Sequence, residues 1–276
     1  MLNVKDSAKE GVKSLKKIFA KEGWELPDVD LTDKQAAVDY LKKKAEPLHD
    51  EWRKENAMHN FNRVYRKSLW TGNQPVKFTF ADWKTDKQAD KKQAAEIGNR
   101  AWTLAKMIAG GQNMNVYFSG DPGTGKTSLA LAMVDKIRNE SGKTALFVST
   151  DALAELYDRR FDDKATQNRL YELIDLMQGN RQLKIDPVDV LVLDDFGTEG
   201  GMRTDTKSQV RVDMQKGLFS VADARFGKFT TIVTTNNKTS ELQEMYNEKL
   251  LSRLITRNPE HRLTFNGMVD VRASMI

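Results

Sequence analysis

The sequence predicts an α/β protein with a mostly parallel sheet flanked by helices, preceded by a small all-helical N-terminal domain. Three observations predict it. Beyond residue 71, short apolar runs at 115–119, 144–149, 188–193 and 230–235 alternate with helical patterns, the grammar of a parallel sheet covered by helices. A glycine-rich stretch, Gly120-Asp121-Pro122-Gly123-Thr124-Gly125-Lys126-Thr127, sits between the first run and a helix-like segment at 128–139. The third run, Val190-Leu191-Val192-Leu193, is unbroken aliphatic and ends in Asp194-Asp195. A strand buried on both faces reads this way, and its C-terminal end opens onto the ligand crevice.

The elements follow in chain order. Val4, Ala8, Val12, Leu15 and Phe19 recur at helical spacing with lysines on the other face. Gly23 and Pro27 interrupt the pattern, and Thr32-Asp33-Lys34-Gln35 resembles a capping box opening a second helix. Ala37, Tyr40, Leu41, Ala45 and Leu48 carry that helix to a kink or break expected at Pro47. Helical character resumes at 52–65. Acidic residues interleaved through these stretches favour a protein-docking or self-packing face over a membrane surface. Thr71-Gly72-Asn73-Gln74-Pro75 is turn-forming and marks a boundary. The expected organisation is a helical domain at 1–70, a linker at 71–91 and a nucleotide-binding domain at 92–276. An amphipathic helix through Ala94, Ile97, Ala101, Leu104, Ala105 and Ile108 opens the last, and residues 262–265 form an edge strand or a hairpin.

The spacing G-x-x-x-x-G-K-T is what a triphosphate requires. Glycines let successive backbone N–H groups face the phosphate oxygens. The helix that follows, entered at Ser128, adds the positive end of its dipole. Lys126 reaches the β- and γ-phosphates, and the Thr127 hydroxyl is placed to hold Mg²⁺. A chain of this length shows the motif by accident about 1 time in 100 at average residue frequencies, and the strand-loop-helix context lowers that further. Asp194 is expected to bind Mg²⁺ beside Thr127, and Asp195 to orient or deprotonate the attacking water. Asn236, ending the run Ile232-Val233-Thr234-Thr235, can hydrogen-bond that water or the γ-phosphate. Asn237-Lys238-Thr239-Ser240 resembles the guanine-selecting N-K-x-D, but Ser240 lacks the carboxylate, so ATP is the expected nucleotide.

Composition narrows the classes. With 44 Lys+Arg against 39 Asp+Glu the net charge is +5, which permits nucleic-acid contact without requiring it. The absence of cysteine excludes disulfides and thiolate metal sites, and His49, His59 and His261 are too scattered for structural zinc. No apolar run approaches the ~18–20 residues that span a bilayer. A soluble, cytoplasmic protein is expected.

With these pieces in order, the chain resembles the AAA+ ATPases of the DnaC/DnaI-like bacterial or phage helicase-loader group and the related IstB-like ATPases of transposition. The likeness runs roughly from Phe78 to Arg272. It rests on Phe78-Thr79-Phe80, the loop Gly120 to Thr127, Leu191-Val192-Leu193-Asp194-Asp195-Phe196-Gly197, the run 231–236, Leu250-Leu251-Ser252-Arg253-Leu254, and Phe265-Asn266-Gly267 with Arg272. The resemblance implies an AAA+ P-loop core with Mg²⁺-dependent ATP hydrolysis. It makes Asn236 a first sensor, Arg253 an arginine finger reaching a neighbouring subunit's nucleotide, and Arg272 a second sensor. The bland reading of Arg253 is a surface ion pair, for example with Glu248. The resemblance also places Phe161 where an aromatic stacks on a DNA base, with Arg159 and Arg160 beside it for phosphates. Its implied partners are a hexameric replicative helicase held by the N-terminal domain, single-stranded DNA, and further copies of the chain packed head-to-tail. Assisting a transposase, or small-molecule phosphotransfer, are the alternative functions.

Overall fold

The computed structural model describes residues 14, 17, 20, 21, 34–199 and 210–270. The apolar series from Val4 to Phe19, the residues Thr32 and Asp33, and Arg272 lie outside the described residues. The chain forms two compact units, Met1–Asn56 and Ala57–Ile276.

In the first unit, residues 14, 17, 20 and 21 are helical, and helix α1 (Lys34–Tyr65) begins there and continues into the second. Pro47 lies inside α1 and does not break it. The proline removes one backbone bond of a 32-residue helix. Pro47 is exposed, so the carbonyl left without its partner meets water.

In the second unit, the end of α1 and the segment after it enter the core. Phe61, Val64, Leu69 and Trp70 are buried. Trp70 stacks on Phe147, with ring centroids 4.0 Å apart. Leu69 takes a backbone hydrogen bond from Ser149 (2.9 Å) and donates one to Phe147 (2.8 Å). These bonds cover the outer edge of the sheet, a position otherwise open to unwanted pairing. Short 3₁₀ turns at Thr71–Asn73, Phe80–Asp82 and Thr85–Lys87 lead to α2 (Lys91–Ala109), capped by Asp90. Ala94, Ile97, Ala101, Leu104, Ala105 and Ile108 form its buried stripe, as the sequence predicts.

Five parallel strands follow: β1 (Asn115–Ser119), β2 (Ala145–Ser149), β3 (Val190–Asp194), β4 (Thr230–Thr235) and β5 (Arg262–Thr264). Between them run α3 (Lys126–Ser141), α4 (Thr150–Arg159), α5 (Lys164–Gln178), α6 (Val212–Arg225), α7 (Thr239–Met245) and α8 (Glu248–Leu254). The sheet order is β2-β3-β4-β1-β5, an α/β core with every neighbouring pair of strands parallel. The last apolar stretch resolves as a parallel edge strand paired to β1, not a hairpin.

Period-two alternation explains the two cores. Tyr117, Leu146, Val148, Leu191, Leu193 and Val233 face one side, with residues of α4 to α8. Val116, Phe118, Phe147, Val190, Val192, Ile232 and Leu263 face the other, with α2 and α3. Each central strand is therefore buried along both faces, as two covered sides require. The buried Arg225 is an internal tie: its guanidinium donates to the carbonyls of Met177 (2.9 Å), Val188 (2.8 Å) and Thr230 (2.6 Å). The chain leaves β1 for β2 across β4 and β3 and returns to place β5 on β1's other side. The carboxyl ends of β1, β3 and β4 thus meet at a crossover point, where α/β sheets bind ligands. No helix among the described residues is long and apolar enough to cross a membrane.

Candidate nucleotide site

The turn after β1 carries the phosphate loop into α3. Gly125, the N-cap of α3, has φ 95°, a left-handed conformation that side-chain-bearing residues rarely adopt. A Cβ there would also lie 2.7 Å from the Trp83 ring. Trp83 is held by its indole N–H on the Ala94 carbonyl (3.0 Å) and meets Phe265 edge-on. The Thr124 hydroxyl donates to the Asp121 carbonyl at 2.8 Å and braces the loop. The Lys126 ammonium lies 2.8 Å from the Gly120 carbonyl and 2.7 Å from that of Asp121. Gly120, Asp121 and Thr124 thus shape the loop and hold its lysine.

Pro122, Gly123, Gly125, Lys126, Thr127 and Ser128 line a cavity of about 200 Å³, and Asp195 and Asn236 complete its wall. Thr127 donates its hydroxyl to Asp194 Oδ1 at 2.9 Å, and Thr234, on β4, donates to the same oxygen at 2.7 Å. Asp194 is 5% exposed. Burial pushes its carboxyl up to about 6, helped by the charge of Asp195, against hydrogen bonds from Thr234 and Thr127 and the charge of Lys126. Asp195 has φ 54° and donates its N–H to Thr234 Oγ1 at 3.0 Å. Asn236 Nδ2 lies 3.5 Å from Asp195 Oδ1.

The residues fit a metal-bound triphosphate. The loop offers an ammonium, left-handed glycines and a helix N-terminus to an anion. One hydroxyl and two carboxylates offer hard oxygens, and a phosphate-bound Mg²⁺ takes one or two carboxylates with substrate oxygens and water completing its shell. Among the described residues no cluster of three His, Cys, Asp or Glu side chains forms a self-sufficient metal site.

Three residues at this site carry no motif signal. Thr234 reads as an ordinary strand residue, yet it bonds both Asp194 and Asp195. Trp83 packs on Gly125 from a loop far earlier in the chain. The Asp270 carboxylate lies against Gly123, where an added Cβ would collide with it. Mutual hydrogen bonds between the Gln88 side chain and the Val269 backbone hold that segment (2.9 and 3.3 Å).

The other predicted residues stand elsewhere. Arg253 lies on α8, whose end is held by Asn115 at the start of β1, the opposite end of the sheet from the phosphate loop. It pairs with Asp223 at 2.7 Å rather than with Glu248, and lies over the Phe219 ring. Together with Arg257 it lines a second cavity of about 630 Å³. Phe161 is 76% exposed and so is not core. The Arg160 guanidinium lies 4.2 Å from its ring centre. Arg160 pairs with Asp213 (2.6 Å), and Arg159 with Glu155 (3.3 Å) and Asp162 (3.5 Å).

Comparison with known proteins places this geometry. The model of the IstB-like ATP binding protein family matches residues 34–264. The chain is 24% identical over 224 residues to the uncharacterized protein YdaV of Escherichia coli strain K12, covering 79% of this chain and 77% of that one. Among solved structures it is similar to DnaI, with 17% identity and a TM-score of 0.47 over 70% of this chain and 91% of that chain. It is also similar to the DnaC helicase loader, with 22% identity and a TM-score of 0.45 over 61% of this chain and 89% of that chain.

Proposed function

We propose a function for this chain, which belongs to the IstB-like ATP binding protein family: an ATP-dependent loader of a replicative helicase onto single-stranded DNA, acting as an ATP-switched oligomer. One observation carries the nucleotide chemistry. Lys126 and Thr127 of one loop and Asp194 of a distant strand meet at the carboxyl end of a parallel sheet, with Asp195 and Asn236 across the same cavity. The loop residues and Lys126 bind the triphosphate. Thr127 and Asp194 would hold Mg²⁺, which supplies positive charge to the β- and γ-phosphates.

Asp195 accepts a proton from the attacking water and Asn236 orients that water; both groups line the cavity. Arg253 serves the nucleotide of a neighbouring copy, and Arg272 the nucleotide of its own. Subunits related this way pack head-to-tail and build rings or open spirals. Residues 1–70 dock the helicase, and Phe161 stacks on a base with Arg159 and Arg160 near the phosphates. The loader motif series and a helical unit outside the ATPase core favour this reading. The family match favours a second one, in which the ATPase core directs a transposase on DNA.

Affinity capture with the full chain, with and without ATP, separates them. Recovery of a hexameric helicase through residues 1–70 supports loading. Recovery of a transposase through the ATPase core supports the second reading, and ATP consumption that requires a metabolite and ignores DNA overturns both.

A further inference from the structure

We propose that Glu199 is a positioning residue for ATP hydrolysis: its carboxylate fixes the turn that aims Asp195 and ties that turn to Tyr246, between α7 and α8. The inference rests on the hydrolysis reading above, and no catalytic motif includes Glu199. The turn after β3 is pinned from two sides. On the β4 side, Phe196 donates its N–H to the Thr234 carbonyl (2.8 Å), and Asp195 donates to the Thr234 hydroxyl (3.0 Å). On the other side the pin is Glu199, whose Oε2 accepts the Gly197 N–H at 2.8 Å and the Thr150 hydroxyl at 3.0 Å.

The Thr150 hydroxyl makes this arrangement specific. It lies within reach of three acceptors: the Asp194 carbonyl (3.2 Å), the Asp195 carbonyl (3.0 Å) and Glu199 Oε2 (3.0 Å). A hydroxyl has one proton to give. An ionised acceptor makes the stronger bond, so a charged Glu199 draws the Thr150 proton to itself and ties Thr150 to the turn through its own bond with the Gly197 N–H. Burial raises the Glu199 carboxyl, against the hydrogen bonds from Tyr246, the backbone and Thr150. The other oxygen, Oε1, takes the Tyr246 phenol proton. Tyr246 is buried, and its ring stacks on Phe196 with centroids 4.4 Å apart. One carboxylate therefore joins the end of β2, the turn bearing Asp195 and the entry to α8, which carries Arg253.

The geometry of Asp195 depends on this brace. Its φ of 54° is uncommon for a residue with a side chain and persists where surrounding bonds over-determine it. Without the Glu199 charge, the Gly197 N–H and the Tyr246 hydroxyl lose their ionised acceptor, and the turn is free to relax. None of these bonds involves Lys126 or another residue of the phosphate loop, so nucleotide affinity is expected to change less than turnover.

The test is steady-state ATPase kinetics with equilibrium ATP binding on the full chain, comparing wild type, Glu199→Gln, Tyr246→Phe and the double variant. Glu199→Gln is expected to lower kcat about ten-fold, the size of one lost charge-assisted bond, with ATP affinity within about two-fold of wild type. Tyr246→Phe keeps the stack on Phe196 and removes only the hydroxyl; it is expected to lower kcat less. The double variant is expected to fall no further than Glu199→Gln alone, because both act through one contact. A purely structural role would lower ATP affinity and kcat together, or make the two substitutions additive, and either result overturns the proposal. Unchanged kcat in a hydrolysing protein overturns it while leaving the hydrolysis reading intact. Should Glu199→Gln fail to fold, unchanged kcat in Tyr246→Phe overturns the proposal in its place. A wild-type chain with no turnover overturns both readings.

Discussion

Replacing Asp194 with Asn is expected to stabilise the nucleotide-free protein while removing its response to Mg²⁺ and ATP. The carboxyl has an ordinary value of 3.8 and is pushed up to about 6, chiefly by burial. A raised carboxyl value means that the folded state holds a proton which the unfolded state releases. Between roughly pH 4 and pH 6, stability therefore falls as pH rises, and the full cost stands above about pH 6. A shift of two units corresponds to ~3 kcal/mol as an upper bound. Relaxation around a buried charge reduces this, and about 2 kcal/mol is expected. That is roughly 4–8 °C in melting temperature for a domain of this size.

Asn keeps the contacts. Both hydroxyl donors, Thr127 and Thr234, reach the same oxygen Oδ1, and an amide oxygen can accept both, without the charge assistance of a carboxylate. Thermal unfolding of both proteins at several pH values between 5 and 8, with and without Mg²⁺-ATP, is the assay. The gap in favour of Asn is expected to widen as pH rises toward 6 in the apo protein, to stay level above that, and to reverse with Mg²⁺-ATP, which stabilises only wild type. A less stable Asp194→Asn at pH 8 without nucleotide would show that the carboxylate is a net stabilising group, and would refute the burial argument.

Lys126→Ala is expected to abolish ATP binding in equilibrium titration, since the ammonium supplies the loop's side-chain positive charge; unchanged affinity would remove the phosphate-loop assignment. Asp195→Asn is expected to bind ATP normally and hydrolyse it at least ten-fold more slowly, measured by phosphate release; wild-type turnover would exclude Asp195 as the water-activating group. Arg253→Ala is expected to leave ATP affinity of the isolated chain unchanged and to lower turnover only where copies assemble, read from the concentration dependence of the rate. Phe161→Ala is expected to weaken single-stranded DNA binding by ~1–3 kcal/mol, measured by fluorescence anisotropy at fixed salt; equal affinity would exclude stacking on this ring.

The phosphate loop, the strand ending in Asp194-Asp195 and the alternation of strands with helices were legible because each is local in sequence. Short apolar runs mark the strands, and all four of those runs are strands within two residues of their expected starts. Hydroxyls at strand ends were not legible. Thr234 and Thr150 are β-branched residues in or next to strands, where that residue type is already favoured for packing, so nothing in the pattern separates a bonding role from an ordinary one. Contacts between distant segments were equally silent. Trp83 on Gly125, Asp270 on Gly123 and Gln88 with Val269 depend on loop paths that no periodicity records. Trp70 reads as the end of a helical block, yet its ring stacks on Phe147 of β2, because an apolar residue carries no label for which surface it covers.

The position of Arg253 separates the two roles considered for it. Strand β1 has five residues, at ~3.3 Å rise per residue a span of ~16 Å. The phosphate loop follows its last residue, and α8 is held at its first. An arginine side chain does not bridge that distance, so Arg253 cannot serve the nucleotide of its own chain. Its ion pair is a weak anchor, beside a bond to the Lys249 carbonyl (2.9 Å) and the Phe219 ring. Asp223 is more than half exposed, at 56%, and a pair open to water contributes ~0–1 kcal/mol. An arginine placed on transferring phosphoryl oxygens is worth ~10³–10⁵ in rate, far more than the bond it leaves. Under the proposed function, a neighbouring copy that brought its phosphate loop to α8 would draw this guanidinium from Asp223, and the gain would appear in turnover rather than in resting affinity. In that proposed arrangement the copies pack head-to-tail, which builds rings or open spirals rather than a closed dimer.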